Sequence, residues 1–160
     1  MVCIFQVVGK KDAGKTKAIE LATKMLTQKG LFIATVKHSH HVINPENKDT
    51  SRFMRAGAKV VLFHSNDCAI FFPCFDYLRL LPVDVVIIEG FKDLNLGKKF
   101  EITKVEEAEE IARQIVKEAE ECAQEVKMEV NGRKAERSFE NLIIFNLMRH
   151  LNIREVKLVD

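Results

Sequence analysis

The spacing of apolar positions changes along this 160-residue chain, and each change marks an element. Cys3-Ile4-Phe5-Gln6-Val7-Val8 is a nearly unbroken apolar run, as a strand buried on both faces requires. From Lys15 to Gln28 the period becomes helical, with Ala18, Ile19, Ala22, Met25 and Leu26 on one face, and Gly30 ends the pattern. Leu31 to Val36 reads as a second strand that delivers Lys37-His38-Ser39-His40-His41 at its carboxyl end. Asn44-Pro45-Glu46-Asn47 is loop chemistry, and Asp49-Thr50 is placed to cap a short helix through Arg55 that Gly57 stops. The runs 60–63 and 69–72 are compatible with short strands, while 75–81 carries no decisive pattern.

Val83-Asp84-Val85-Val86-Ile87-Ile88-Glu89-Gly90 contains four consecutive β-branched residues and predicts a central strand ending in a carboxylate. Asp84 would start that strand, at the end away from Glu89, as a cap or surface residue. Phe100 to Thr103 suggests a further strand, and Val105 to Val126 an amphipathic helix whose glutamates form a solvated face. Residues 128–135 predict a hairpin turning at Asn131-Gly132, and Ser138 caps a last helix carrying Phe139, Leu142, Ile143, Phe145, Leu147, Met148 and Leu151. Strands alternating with helices predict an α/β fold: one domain over 1–160, a mostly parallel sheet with helices on both faces, then a C-terminal β-hairpin and helix.

Between the first strand and helix lies Gly9-Lys10-Lys11-Asp12-Ala13-Gly14-Lys15-Thr16, which fits G-x-x-x-x-G-K-[ST], the phosphate-binding loop of P-loop NTPases. A loop wrapped around a phosphate aims successive backbone N–H groups inward, so Gly9 through Gly14 form the cradle. Lys15 would reach the terminal phosphates, Thr16 would place its hydroxyl on Mg²⁺, and Lys17 adds charge at the helix start. Net charge is only +2, giving no case for general nucleic-acid binding, yet residues 1–103 hold 15 basic against 10 acidic side chains. The basic excess therefore lies with the phosphate loop. No run approaches the length of a membrane span, no leader pattern opens the chain, and a cytoplasmic protein is expected. Cys3, Cys68, Cys74 and Cys122 form no C-x-x-C pair and sit mostly in apolar segments, so buried free thiols are expected.

With these motifs in order, the sequence resembles the molybdopterin-guanine dinucleotide biosynthesis protein B (MobB) family. The likeness rests on Gly9 to Thr16, then Val36-Lys37-His38-Ser39-His40-His41, then Lys48-Asp49-Thr50-Ser51-Arg52 before Ala56-Gly57-Ala58, then Val86 through Glu89-Gly90-Phe91-Lys92. It is strong through Lys92 and weaker beyond. The resemblance implies a P-loop NTPase that binds GTP with Mg²⁺, hydrolyses it slowly, and assists the (MobA-like) nucleotidyltransferase that attaches GMP to molybdopterin. It also implies a homodimer, for which residues 128–160 with their crowded apolar helix are the candidate element. One departure is Lys10-Lys11-Asp12-Ala13 in place of the family's Gly/Ser-rich loop interior, which puts a negative charge near the phosphates.

The remaining polar residues divide by position. Glu89 and Asp49 are the candidates for holding Mg²⁺ with Thr16 or for orienting the attacking water, and with Lys15 form the expected catalytic set. His38, His40 and His41 are expected to line the nucleotide or partner cleft, since their spacing leaves too few ligands on one face for zinc. Arg52 would bind a phosphate or pair with Glu89, and Lys92 shares that ambiguity. Two other classes of function fit the same motif: a nucleotide-dependent adaptor whose hydrolysis is incidental, and a small-molecule kinase. No Asn/Thr-Lys-x-Asp motif is present to read guanine, so the choice of GTP comes from the resemblance alone.

Overall fold

The computed structural model describes residues 2–39, 41–71, 78–123, 125 and 127–157. Its elements are β1 (Cys3–Val8), α1 (Lys15–Gln28), β2 (Ile33–Lys37), α2 (Asp49–Arg55), β3 (Val61–His64), β4 (Cys68–Phe71), β5 (Val85–Glu89), β6 (Lys98–Glu101), α3 (Ala108–Cys122), β7 (Glu129–Val130), β8 (Arg133–Lys134) and α4 (Phe139–His150). They fall into two compact units, Met1–His38 with Leu78–Asp160, and Ser39–Tyr77.

In the larger unit four strands form a parallel sheet in the order β2-β5-β1-β6. The β-branched run of β5 sits between β1 and β2, and Val85 through Ile88 are fully buried. Side chains of a strand alternate between faces, so this one apolar run feeds two cores. On one face Val85 and Ile87 join Cys3, Phe5, Val7 and Phe100 beneath α1 and α3, which supply Ala18, Ala22, Leu26, Ala112 and Ile115. The small residues let the two helices lie close to the sheet and to each other. On the other face Val86 and Ile88 pack with Val2 and Val83 under Leu78, Leu81, Phe91 and Leu96. The helix α4 packs against the 3₁₀ turn Leu78–Leu80, tied there by Asn146 Nδ2 donating to Leu81 O and Val83 O. The parallel α/β architecture with its terminal hairpin and helix agrees with the alternation of periods, including the Asn131-Gly132 turn at φ 52° and 73° and the Ser138 cap on Asn141 N–H.

Four expectations are corrected. Cys3 and Cys122 form a disulfide, with Cα atoms 6.0 Å apart, because α3 runs back along β1 and lays its last residue beside the first of the strand. Cys68 is free and exposed, and Cys74 lies outside the described residues. Asp84, expected as a cap or surface residue, is not at the surface: it is buried, accepts the N–H of Phe32 at 2.8 Å and is ion-paired with Arg137. The long acidic helix ends at Cys122 and begins with a 3₁₀ turn, Val105–Glu107. Glu89 and Lys37 close their strands in register, while β6 begins at Lys98, earlier than its apolar residues suggest.

Asp84 and Arg137 join the sheet to the segment leading into α4, and their geometry yields a stability prediction. Arg137→Ala would leave a carboxylate 5% exposed with only one N–H partner among the described residues. Stranding a buried charge costs about 3–5 kcal/mol, so urea unfolding is expected to show a loss of that order. Asp84→Asn with Arg137→Ala would recover part of it, because the stranded charge is gone; an unchanged midpoint in the single variant refutes the role.

The smaller unit carries α2 and the antiparallel pair β3–β4, with Val61 opposite Phe71 and Leu62 opposite Ile70. Among its described apolar side chains only Val61 is buried, whereas Phe53, Leu62, Phe63 and Ile70 are half exposed or more.

Candidate functional site

The phosphate-loop motif spans the turn from β1 into α1, with α1 starting at Lys15 immediately after Gly14. Both motif glycines are required by packing. A Cβ on Gly9 would stand 2.2 Å from Ile102 O, and Gly14, at φ +95°, would place one 2.9 Å from Val105 Cα. The wall they press against is the turn after β6, organised by Glu107. Its carboxylate accepts the Thr103 N–H at 2.8 Å and the Thr103 hydroxyl, and the backbone bond holds it below the usual carboxylate pKa range. Asp12 takes φ 60°, a left-handed conformation that Asp adopts more readily than most non-glycine residues, which gives a backbone reason for its place in the loop.

Lys15 curls over the loop it belongs to: Nζ donates to Gly9 O at 3.1 Å and Lys10 O at 2.5 Å. Those carbonyls hold the ammonium against the turn between β1 and α1. Next to it, Thr16 Oγ1 donates to Glu89 Oε2 at 3.0 Å. The contact joins residues 73 apart in sequence because β5 neighbours β1, and both deliver their carboxyl ends to the loop. A hydroxyl and a carboxylate together are hard oxygen donors, and Mg²⁺ typically takes one or two protein carboxylates, completing its shell with phosphate and water. The residues present therefore fit that ion.

Glu89 is held on both sides. Gly90 N–H donates to Val7 O at 3.1 Å and His38 N–H to Glu89 O at 2.9 Å. His38 stacks on Phe91, ring centroids 4.3 Å apart, and a Cβ on Gly90 would meet His38 Cβ at 3.0 Å. Beneath the loop, the fully buried Gln6 accepts Leu96 N–H at 2.8 Å and Gly97 N–H at 3.3 Å through Oε1, while Nε2 donates to Phe91 O at 3.3 Å. One amide thus anchors the connection from β5 to β6 that carries Phe91. Sequence reasoning assigned no role to Gln6 or Phe91; the signal for Gln6 was a lone amide in the middle of an otherwise apolar strand.

The structure brings Gly9 through Lys17, Glu89 and His38 together at the carboxyl end of the parallel sheet, with Lys37 closing β2 in register with Glu89. Asp49, Arg52 and His41 belong to the smaller unit, and His40 lies outside the described residues. Asp49 opens α2 as its first residue, not as its cap, and pairs with Arg52 at 3.2 Å on an exposed face. Lys92 offers its carbonyl to Lys99 Nζ at 3.0 Å.

Comparison with known proteins adds a family to this geometry. The model of molybdopterin guanine dinucleotide synthesis protein B matches residues 4–123. The chain is 36% identical over 108 residues to a Methanocaldococcus jannaschii protein, a match covering 59% of this chain and 45% of that one. It is 30% identical over 121 residues to a Bacillus subtilis protein, covering 66% and 68%, and 32% identical over 105 residues to one of Haemophilus influenzae, covering 58% of each. The first two are described provisionally, and the third outright, as molybdopterin-guanine dinucleotide biosynthesis adapter proteins. The chain thus spans under half the length of the Methanocaldococcus relative. Among solved structures, Bacillus subtilis MobB is 29% identical, covering 62% of this chain and 67% of its own, with a TM-score of 0.44.

Proposed function

The chain belongs to the molybdopterin guanine dinucleotide synthesis protein B family, and from that membership we propose that it is an adapter in molybdopterin guanine dinucleotide biosynthesis that binds GTP with Mg²⁺ and hydrolyses it slowly. The observation that carries this reading is the 3.0 Å contact of Thr16 with Glu89 at the mouth of the loop, a magnesium-binding pair built beside a phosphate cradle. Bound there, Mg²⁺ would neutralise charge on the terminal phosphates. The loop N–H groups orient the triphosphate, Lys15 supplies a cation to its far end, and Glu89 orients water beside it. Asp49, Arg52, His40 and His41 are proposed to serve the same nucleotide or the partner.

That partner is proposed to be the nucleotidyltransferase that joins GMP to molybdopterin, met by a cytoplasmic homodimer. Among the described residues no helix is long and apolar enough to cross a membrane. Exposed Phe139, Ile143 and Leu147 on α4 support pairing of two copies. Calorimetry with GTP and ATP in Mg²⁺, repeated with the purified transferase, tests the reading: tighter association in GTP supports it, and no binding of either nucleotide rejects it. Glu89→Gln is expected to keep GTP affinity within a few-fold while lowering hydrolysis by about ten- to a hundredfold, since it removes charge beside the reacting phosphate while the amide oxygen can still accept the Thr16 hydroxyl. Wild-type phosphate release from that variant would move the role to another carboxylate.

A further inference from the structure

The edge strand β2 and the helix α1 leave between them a groove of about 500 Å³ that opens at Thr16 and Glu89. Whatever occupies it lies beside the metal-binding pair and the terminal phosphates, the end of the nucleotide farthest from its base. Ile19, the methyls of Thr23 and Thr35 and the stems of the longer side chains give the groove an apolar surface, while Thr16 and Thr35 add hydroxyls. Its charged residues besides Glu89 are Glu20, Lys24 and Lys37, none of which makes an ion pair among the described residues. Charges not spent on each other are available to a ligand.

One atom in the groove's wall is left without a partner. A threonine hydroxyl within a helix ordinarily bonds a carbonyl one turn earlier, as Thr27 Oγ1 does to Thr23 O at 2.9 Å. Thr23 Oγ1 is inaccessible and unbonded among the described residues. Leaving a buried hydroxyl unpaired is unfavourable, and a small rotation into the groove would offer it to an occupant. An apolar surface suits the face of a flat ring, a carboxylate suits paired N–H donors, and ammonium groups suit an anion.

We propose that this groove binds a phosphomonoester of a 2-amino-4-oxopyrimidine heterocycle, with Glu20 accepting the ring's adjacent N–H donors and Lys37, at the mouth, taking the phosphate. The choice of ring rests on the adapter reading above, because guanine and the pterin of molybdopterin share it. The existence of the groove does not rest on that reading. Lys24, one helical turn beyond Glu20, lies at the far end and contributes less.

The test is a titration of the full chain, saturated with Mg²⁺ and a non-hydrolysable GTP analogue, with 6-hydroxymethylpterin phosphate followed by its own fluorescence and with GMP followed by calorimetry. Saturable binding of either compound is expected, and the stronger of the two identifies the ring system. Glu20→Ala and Lys37→Ala should each weaken it tenfold or more, and Thr23→Val, nearly isosteric, several-fold. Lys15→Ala, which does not line the groove, should retain the pterin signal while losing the triphosphate. If the GTP analogue fails to bind but the pterin phosphate titrates and responds to Glu20→Ala, the groove stands and the nucleotide reading falls. Absence of binding by both compounds, or wild-type affinity in Glu20→Ala and Lys37→Ala, overturns the groove.

Discussion

Lys15→Ala is expected to weaken binding of Mg²⁺-GTP by about a hundredfold or more without lowering the unfolding midpoint. The ammonium already lies over the loop, bonded to Gly9 O and Lys10 O, so it is poised to exchange carbonyl partners for phosphate oxygens. Charge-assisted hydrogen bonds contribute about 1.5–3 kcal/mol each, and losing the equivalent of one or two corresponds to roughly ten- to ten-thousandfold in affinity. Stability should be spared because the side chain is partly exposed and its partners are loop carbonyls that water can satisfy. Lys15→Arg is a useful companion: it keeps the charge but not the compact ammonium that Gly9 O and Lys10 O hold. Calorimetric titration of the variant provides the check. Affinity within threefold of wild type would remove the phosphate loop from nucleotide binding.

The second large effect concerns the Cys3–Cys122 bond, which closes a loop with a sequence separation of 119. Cross-linking positions that far apart removes much of the freedom of the unfolded chain, and such bonds typically contribute about 2–5 kcal/mol. For a chain of this size that is a fall in midpoint on the order of 10 °C on reduction. Comparing oxidised and reduced wild-type protein is the sharpest form of the experiment, because no side chain changes. Cys3 is 1% exposed, so a serine there would add its own burial cost and confuse the result. Peptide mapping under non-reducing conditions should recover the fragments containing Cys3 and Cys122 as one linked species. Equal midpoints in the two redox forms, or separate fragments, would show that the bond does not hold the native state together.

Local pattern was enough to determine much of this protein. The apolar runs of β1 and β5, the helical stripe of α1, the Asn131-Gly132 turn and the Ser138 cap all follow from interactions within a few residues, where side-chain period and backbone preference act directly. The turn from β1 into α1 at Gly9 to Thr16 was legible for the same reason, since its glycines, lysine and threonine are contiguous. Tertiary structure decided what contiguity does not reach. Thr16 meets Glu89 only because β5 is hydrogen-bonded beside β1. Asp84 becomes a buried ion-pair partner only once the segment before α4 returns Arg137 to the sheet, and the cysteines pair only when α3 runs back along β1. The groove between α1 and β2 exists because β2 is an edge strand, a matter of strand order that no period in the chain records. These features depend on contacts between residues tens of positions apart, set by how whole elements pack, whereas the periods that predict each element are local.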